Sequence, residues 1–187
     1  MNNPIIWLSE NRRCLVILYF VLFIFYLSQA EVFSMDLKIG DPAPDFSLQD
    51  ETGKLRQLSK FKGKKVALYF YPKDNTRGCT SQACSFRDGY QQLQENGITV
   101  LGISYDSPES HRQFKEKHHL PFTLLSAEDK QVAKTYGAYG GLLWFLMPKR
   151  YTYLIDENGI VIEILKKVNV DRQAEEVLGV FKKNDSE

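Results

Sequence analysis

The side chains best suited to chemistry in this sequence are two cysteines, Cys79 and Cys84, five residues apart. Before them runs Val66 to Tyr71 (VALYFY), a β-branched and aromatic stretch that reads as a buried central strand. The loop Pro72-Lys73-Asp74-Asn75-Thr76-Arg77-Gly78 then leads into a helix expected over about Cys79 to Gln94, with Phe86, Tyr90 and Leu93 on its buried side. Cys79 is thereby placed at the C-terminal end of a strand and in the first turn of a helix, where open α/β sheets carry their sites. The positive end of the helix dipole favours a thiolate there, and the thiolate is the nucleophilic form. Thr76, three residues earlier, offers a hydroxyl to a bound substrate or to the sulfur. Pro72 stiffens the loop and shields the site. On an ideal helix, Cα atoms five residues apart are about 8.6 Å from each other. A disulfide needs less than about 7 Å. A bridge between Cys79 and Cys84 therefore requires the first turns of the helix to unwind.

The elements that must position these residues alternate between strand and helix. Ile98 to Ser104 (ITVLGIS), Thr152 to Ile155 and Ile160 to Leu165 read as further strands, the last two joined by a hairpin turn at Asp156-Glu157-Asn158-Gly159. A second helix is expected to begin at Ser107, with Ser as cap and Pro108 at the first helical position. A third is expected from near Ser126, supported by Asp129, to Gly137, and a last one over about Asp171 to Lys183. This is an α/β layout, compatible with a thioredoxin-like fold: a central mixed β-sheet flanked by helices. His111, His118 and His119, with Lys115, Glu116 and Lys117, read as a solvated helix face.

Three ordered segments resemble the peroxiredoxins, and within them the bacterioferritin-comigratory (Q-type) subgroup. These are Gly40-Asp41-x-Ala43-Pro44-x-Phe46, the run YFYPKDNTRGCTSQACSFRD from Tyr69 to Asp88, and Arg150-x-Thr152-x-Leu154-Ile155-Asp156. The resemblance covers residues 37 to 183 and implies roles by position. Cys79 matches the peroxidatic cysteine, which becomes a sulfenic acid as it reduces hydrogen peroxide or an organic hydroperoxide. Cys84 matches the resolving cysteine, which closes an intramolecular disulfide that thioredoxin or a similar dithiol reduces. Thr76 and Arg150 match groups that orient the peroxide and stabilise the thiolate, and Pro72 matches the loop proline. No metal or organic cofactor is implied, and the assembly expected is a monomer or weak dimer. Two departures stand out: Gln82 replaces a usual glutamate, and the apolar run Gly141 to Pro148 (GLLWFLMP) replaces a usually polar stretch. The alternative is a membrane-associated thioredoxin-fold protein that binds copper through soft thiolates, or exchanges disulfides. Against it stand the wide cysteine spacing and the presence of Thr76 and Arg150.

Length and charge narrow the rest. The chain has 187 residues and a formal net charge of +1, which suggests one folded domain and gives no reason to expect nucleic acid. Three cysteines are too few for a disulfide scaffold. The third, Cys14, opens a charge-free run to Leu27 that follows Arg12 and Arg13 and precedes Ser28-Gln29-Ala30. Residues 1–34 are thus expected to be a signal peptide or membrane anchor, and residues 35–187 the thioredoxin-like domain. The domain is then exported or anchored through residues 14–27. Translation from Met35 would instead leave it cytoplasmic.

Overall fold

The structure is a computed structural model that describes residues 37–140 and 147–186. These fall within one compact unit, Met35–Glu187. The expected signal peptide or anchor and most of the apolar run from Gly141 lie outside the described residues.

Seven strands form one mixed sheet: β1 (Ser47–Asp50), β2 (Leu55–Gln57), β3 (Lys65–Phe70), β4 (Ile98–Ser104), β5 (Thr123–Ser126), β6 (Thr152–Ile155) and β7 (Val161–Leu165). Their order is β2-β1-β5-β4-β3-β6-β7. The three central strands, β5, β4 and β3, are parallel, and the flanking pairs are antiparallel. Among the described residues five α-helices accompany them: α1 (Arg77–Asp88), α2 (Tyr90–Glu95), α3 (Pro108–His118), α4 (Gln131–Thr135) and α5 (Gln173–Asn184).

The alternation along β3 explains why this strand is central. Val66, Leu68 and Phe70 enter one core, with Leu101, Ile103, Tyr136 and Tyr153. Ala67, Tyr69 and Tyr71 enter the other, with Cys79, Phe86, Phe114 and Phe181. A strand apolar on both faces needs a layer on each side, which is the arrangement of parallel sheets. Because β3, β4 and β5 run in parallel, their C-terminal ends gather Tyr71, Ser104 and Ser126 on one rim, and α1 starts there.

Several expectations change. The long helix from Cys79 to Gln94 is two helices, α1 and α2, divided at Gly89. A Cβ on Gly89 would lie 2.6 Å from the Cβ of Ala174 in α5, so the break coincides with a close approach of backbone to helix. Ser126 is not a helix cap but the last residue of β5, and α4 begins only at Gln131. Asp129 does act there: its Oδ1 accepts the amide of Gln131 at 3.0 Å. The strands β1, β2 and β5, of four, three and four residues, are additional to those the sequence suggests. The α3 cap is as expected, with Ser107 Oγ accepting from the Ser110 amide at 3.3 Å. The α3 face is only partly solvated: His111 is fully buried, and Lys115 pairs with Glu51.

Candidate active site

Cys79 lies in the first turn of α1 and is 1% exposed. Arg150, just before β6, donates from Nη2 to Cys79 Sγ at 3.2 Å. Its Nη1 donates to Gln82 Oε1 at 2.5 Å. Gln82, one turn along α1 and fully buried, in turn donates from Nε2 to Gln173 Oε1 at 3.0 Å. The guanidinium is therefore held in a fixed plane between the sulfur and a buried amide chain that ends on α5. A Cβ on Gly78 would lie 3.4 Å from Arg150 Nη2, so the cation packs against bare backbone. A thiolate accepts such a charge-assisted bond better than a thiol does. The structure thus combines a helix N-terminus and a guanidinium on one sulfur.

Gln173 was not anticipated from the sequence. The available signal was its place at the first turn of the last helix, which says nothing about a partner 91 residues away. Gln82, where the resemblance implies a glutamate, uses both ends of its side-chain amide. Its Oε1 accepts from Arg150 while its Nε2 donates to Gln173.

Thr76 is the N-cap residue of α1, but its hydroxyl makes no cap bond; it donates to the carbonyl of Lys73 at 2.9 Å. The threonine is exposed, and Pro72 is half-buried. Of the expected site residues, the structure joins Cys79 and Arg150 directly and sets Thr76 and Pro72 in the loop before them.

Cys84 is half-buried on the same unbroken helix, and both cysteines are free thiols. Arg87, one turn further, donates from Nη1 to the His118 carbonyl at 3.0 Å and from Nε to Asp88 Oδ1 at 2.8 Å. The bond to Asp88 foremost, and also the charge and hydrogen bond of Cys84, raise the Arg87 pKa.

The loop from Pro72 to Gly78 is fastened from below. Asp74 donates its amide to Asp106 Oδ2 at 2.9 Å, and the same oxygen accepts from Ser104 Oγ at 2.6 Å. Ser126 Oγ donates to the Asp106 carbonyl at 2.7 Å. The ends of β4 and β5 thus hold the loop that leaves β3. Burial opposes ionisation of Asp74, yet His111 foremost, with Tyr71 and Ser110, outweighs it and holds the carboxyl below its ordinary value.

A model of the AhpC/TSA family matches residues 39–164, two-thirds of the chain. The chain belongs to that family: it is a peroxiredoxin, a peroxidase that works through a thiol, and its fold is thioredoxin-like. It is 45% identical over 155 residues to the putative peroxiredoxin bcp of Coxiella burnetii, an alignment covering 78% of this chain and 99% of that protein. Against the chloroplastic peroxiredoxin Q of Oryza sativa subsp. japonica it is 51% identical over 122 residues, covering 65% of this chain and 56% of the rice protein. Among solved structures it resembles the bacterioferritin comigratory protein of Xanthomonas campestris, described for its alkyl peroxide reduction activity. That likeness has a TM-score of 0.71 at 29% identity, over 79% of this chain and 97% of the other. The bacterioferritin-comigratory (Q-type) resemblance read from the sequence is thereby confirmed.

Proposed function

We propose that the protein reduces hydrogen peroxide and organic hydroperoxides by a two-cysteine cycle recharged by thioredoxin or a similar dithiol. The Cys79 thiolate attacks one peroxide oxygen, the O–O bond breaks, and water or an alcohol leaves as Cys79 becomes a sulfenic acid. Arg150 and Thr76 orient the peroxide, and Arg150 stabilises the charge as it moves from sulfur to the leaving oxygen. Cys84 then attacks the sulfenic sulfur, water leaves, and an intramolecular disulfide forms. This step requires α1 to unwind locally, because an ideal helix holds the pair about 8.6 Å apart. The external dithiol reduces the disulfide and returns both thiols. The observation that carries this reading is the 3.2 Å contact from Arg150 Nη2 to Cys79 Sγ in the first turn of α1.

The decisive experiment is peroxide consumption by Cys79→Ser with thioredoxin as reductant. Complete loss is expected, and a tenth of the wild-type turnover surviving would overturn the reading. Cys84→Ser should consume one equivalent of peroxide quickly and then stop. In the wild type, mass spectrometry should find the bridge within one chain; chains linked only through Cys79 would refute the resolving role. From the sequence alone, residues 1–34 are proposed to carry the domain to or across a membrane. N-terminal sequencing of the native protein tests this, and a soluble cytosolic product beginning at Met35 would overturn it.

A further inference from the structure

His111 is fully buried beneath the loop that leads to Cys79. Its Nδ1 lies 2.9 Å from Asp74 Oδ2, and its Nε2 lies 3.2 Å from the carbonyl oxygen of Leu125. Neither an ionised carboxylate nor a carbonyl can donate a hydrogen bond. A neutral imidazole carries one N–H, so one of the two contacts would set lone pair against lone pair in a dry interior. Two protons on the ring satisfy both contacts at once. The remaining bonds to Asp74 agree with an ionised carboxylate. Tyr71 donates to Oδ1 at 2.7 Å, and Ser110 donates to Oδ2 at 2.8 Å. Burial keeps the Tyr71 phenol well above its ordinary pKa, so it remains a donor.

The charged and titratable groups around His111 are accounted for element by element. The end of β3 presents Tyr71, the loop presents Asp74, and Asp106 after β4 accepts the Asp74 amide. From β5 comes the Leu125 carbonyl, and on α3 itself Ser110 shares the Asp74 oxygen. These are acceptors or neutral hydroxyls, so the pocket suits a cation.

We propose that His111 is a positioning residue for the peroxidase reaction: a buried imidazolium that locks, through Asp74, the loop carrying Thr76 and opening α1 at Cys79. Asp74 lies two residues before Thr76 and five before Cys79, so a slack Asp74 loosens the start of the helix on which the thiol depends. Asn75 between them holds a left-handed φ of 58° and accepts from Lys117 Nζ at 3.3 Å, a second tie to α3. The proposal rests on Cys79 being the thiol that meets peroxide.

The test has two arms, both on the full chain with its thiols reduced. Nitrogen-15 NMR of the histidine rings should show both His111 nitrogens protonated at pH 7.5; a single neutral tautomer would overturn the proposal. In stopped flow, His111→Asn, which keeps one donor but no charge, should slow the first reaction with hydrogen peroxide about tenfold, the scale of one lost bond to a charged group. A variant with the wild-type rate would sink the positioning role. If His111→Asn does not unfold cooperatively, the NMR result on the unaltered chain decides the matter. Survival of activity in Cys79→Ser would instead remove the peroxidatic assignment, and it leaves the NMR result unaffected.

Discussion

Asp50, at the end of β1, and Asp74, in the loop after β3, are both almost wholly buried and both sit below their ordinary carboxylate pKa. Their donors come from different places. Asp50 takes the Thr52 amide at 2.8 Å, the Thr52 hydroxyl at 2.6 Å, the Lys54 amide at 3.0 Å and Arg56 Nε at 2.7 Å. All lie within six residues along the chain, in the β1–β2 hairpin that closes on Gly53 at φ 81°. Asp74 draws on Tyr71 nearby, but also on Ser110 and His111 of α3, 36 and 37 residues away. A carboxylate wired locally stabilises its own turn. One wired across the fold ties two elements together, and here one of them opens the active site. Burial and charge alone would not tell the two apart.

The largest effect should come from Asp74→Ala. Leaving one member of a buried ion pair unmatched typically costs about 3 kcal/mol or more. Urea unfolding of the reduced protein should show that loss, and the peroxide rate should fall with it. An unchanged rate would erase the functional half of the contrast.

Asp50→Ala should cost about 2 kcal/mol in the same unfolding experiment, because several hydrogen bonds to a charge are lost together. The peroxide rate should stay at the wild-type value. A matching fall in rate would show that the hairpin also supports the site.

Acid sharpens the comparison further. Burial works against ionisation of Asp50, but Thr52, Arg56 and Lys54 prevail and bring its pKa from 3.8 down to about 2. A carboxylate depressed on folding contributes stability that is present above its unfolded pKa and lost as pH falls through the folded one. The contribution, about 2 kcal/mol, should therefore vanish between about pH 4 and pH 2. Asp50→Asn should flatten the stability profile in that window, and an unaltered slope would contradict the assignment.

The smallest effect should be Arg56→Ala. The Arg56 side chain is 44% exposed although its partner is buried, and pairs with so exposed a member contribute at most about 1 kcal/mol. A loss as large as that of Asp50→Ala would mean that the arginine, rather than the backbone amides, holds the carboxylate.

What could be read from the sequence follows the same local rule. Pro72, Thr76, Cys79 and Cys84 share one strand–loop–helix unit, and strand alternation with the start of a helix was enough to place the thiol. The Ser107–Pro108 cap and the turn at Gly159, with φ 86°, were likewise legible, since each involves neighbours a few residues apart. Arg150 came into view only through resemblance to a family, because nothing in its own surroundings points to a sulfur 71 residues earlier. The charges around His111 suggest a solvated face, yet the ring is buried. Phe114 three residues on was the available sign that this side of α3 faces inward, but the many charges around it masked that period. Periodicity alone suggests one continuous helix, whereas the break at Gly89 falls where Ala174 of another helix approaches closely.

By itself, the sequence determined which residue could become the nucleophile, which strand and helix would present it, and where the turn at Gly159 would fall. These depend on side-chain periodicity and on caps that act within one turn. Only the tertiary structure decided which cation meets the thiol, which glutamine holds that cation, and which histidine fastens the loop. Those partners lie between 37 and 91 residues apart, and they meet because two apolar cores close on opposite faces of one sheet and leave their polar groups no other place to bond.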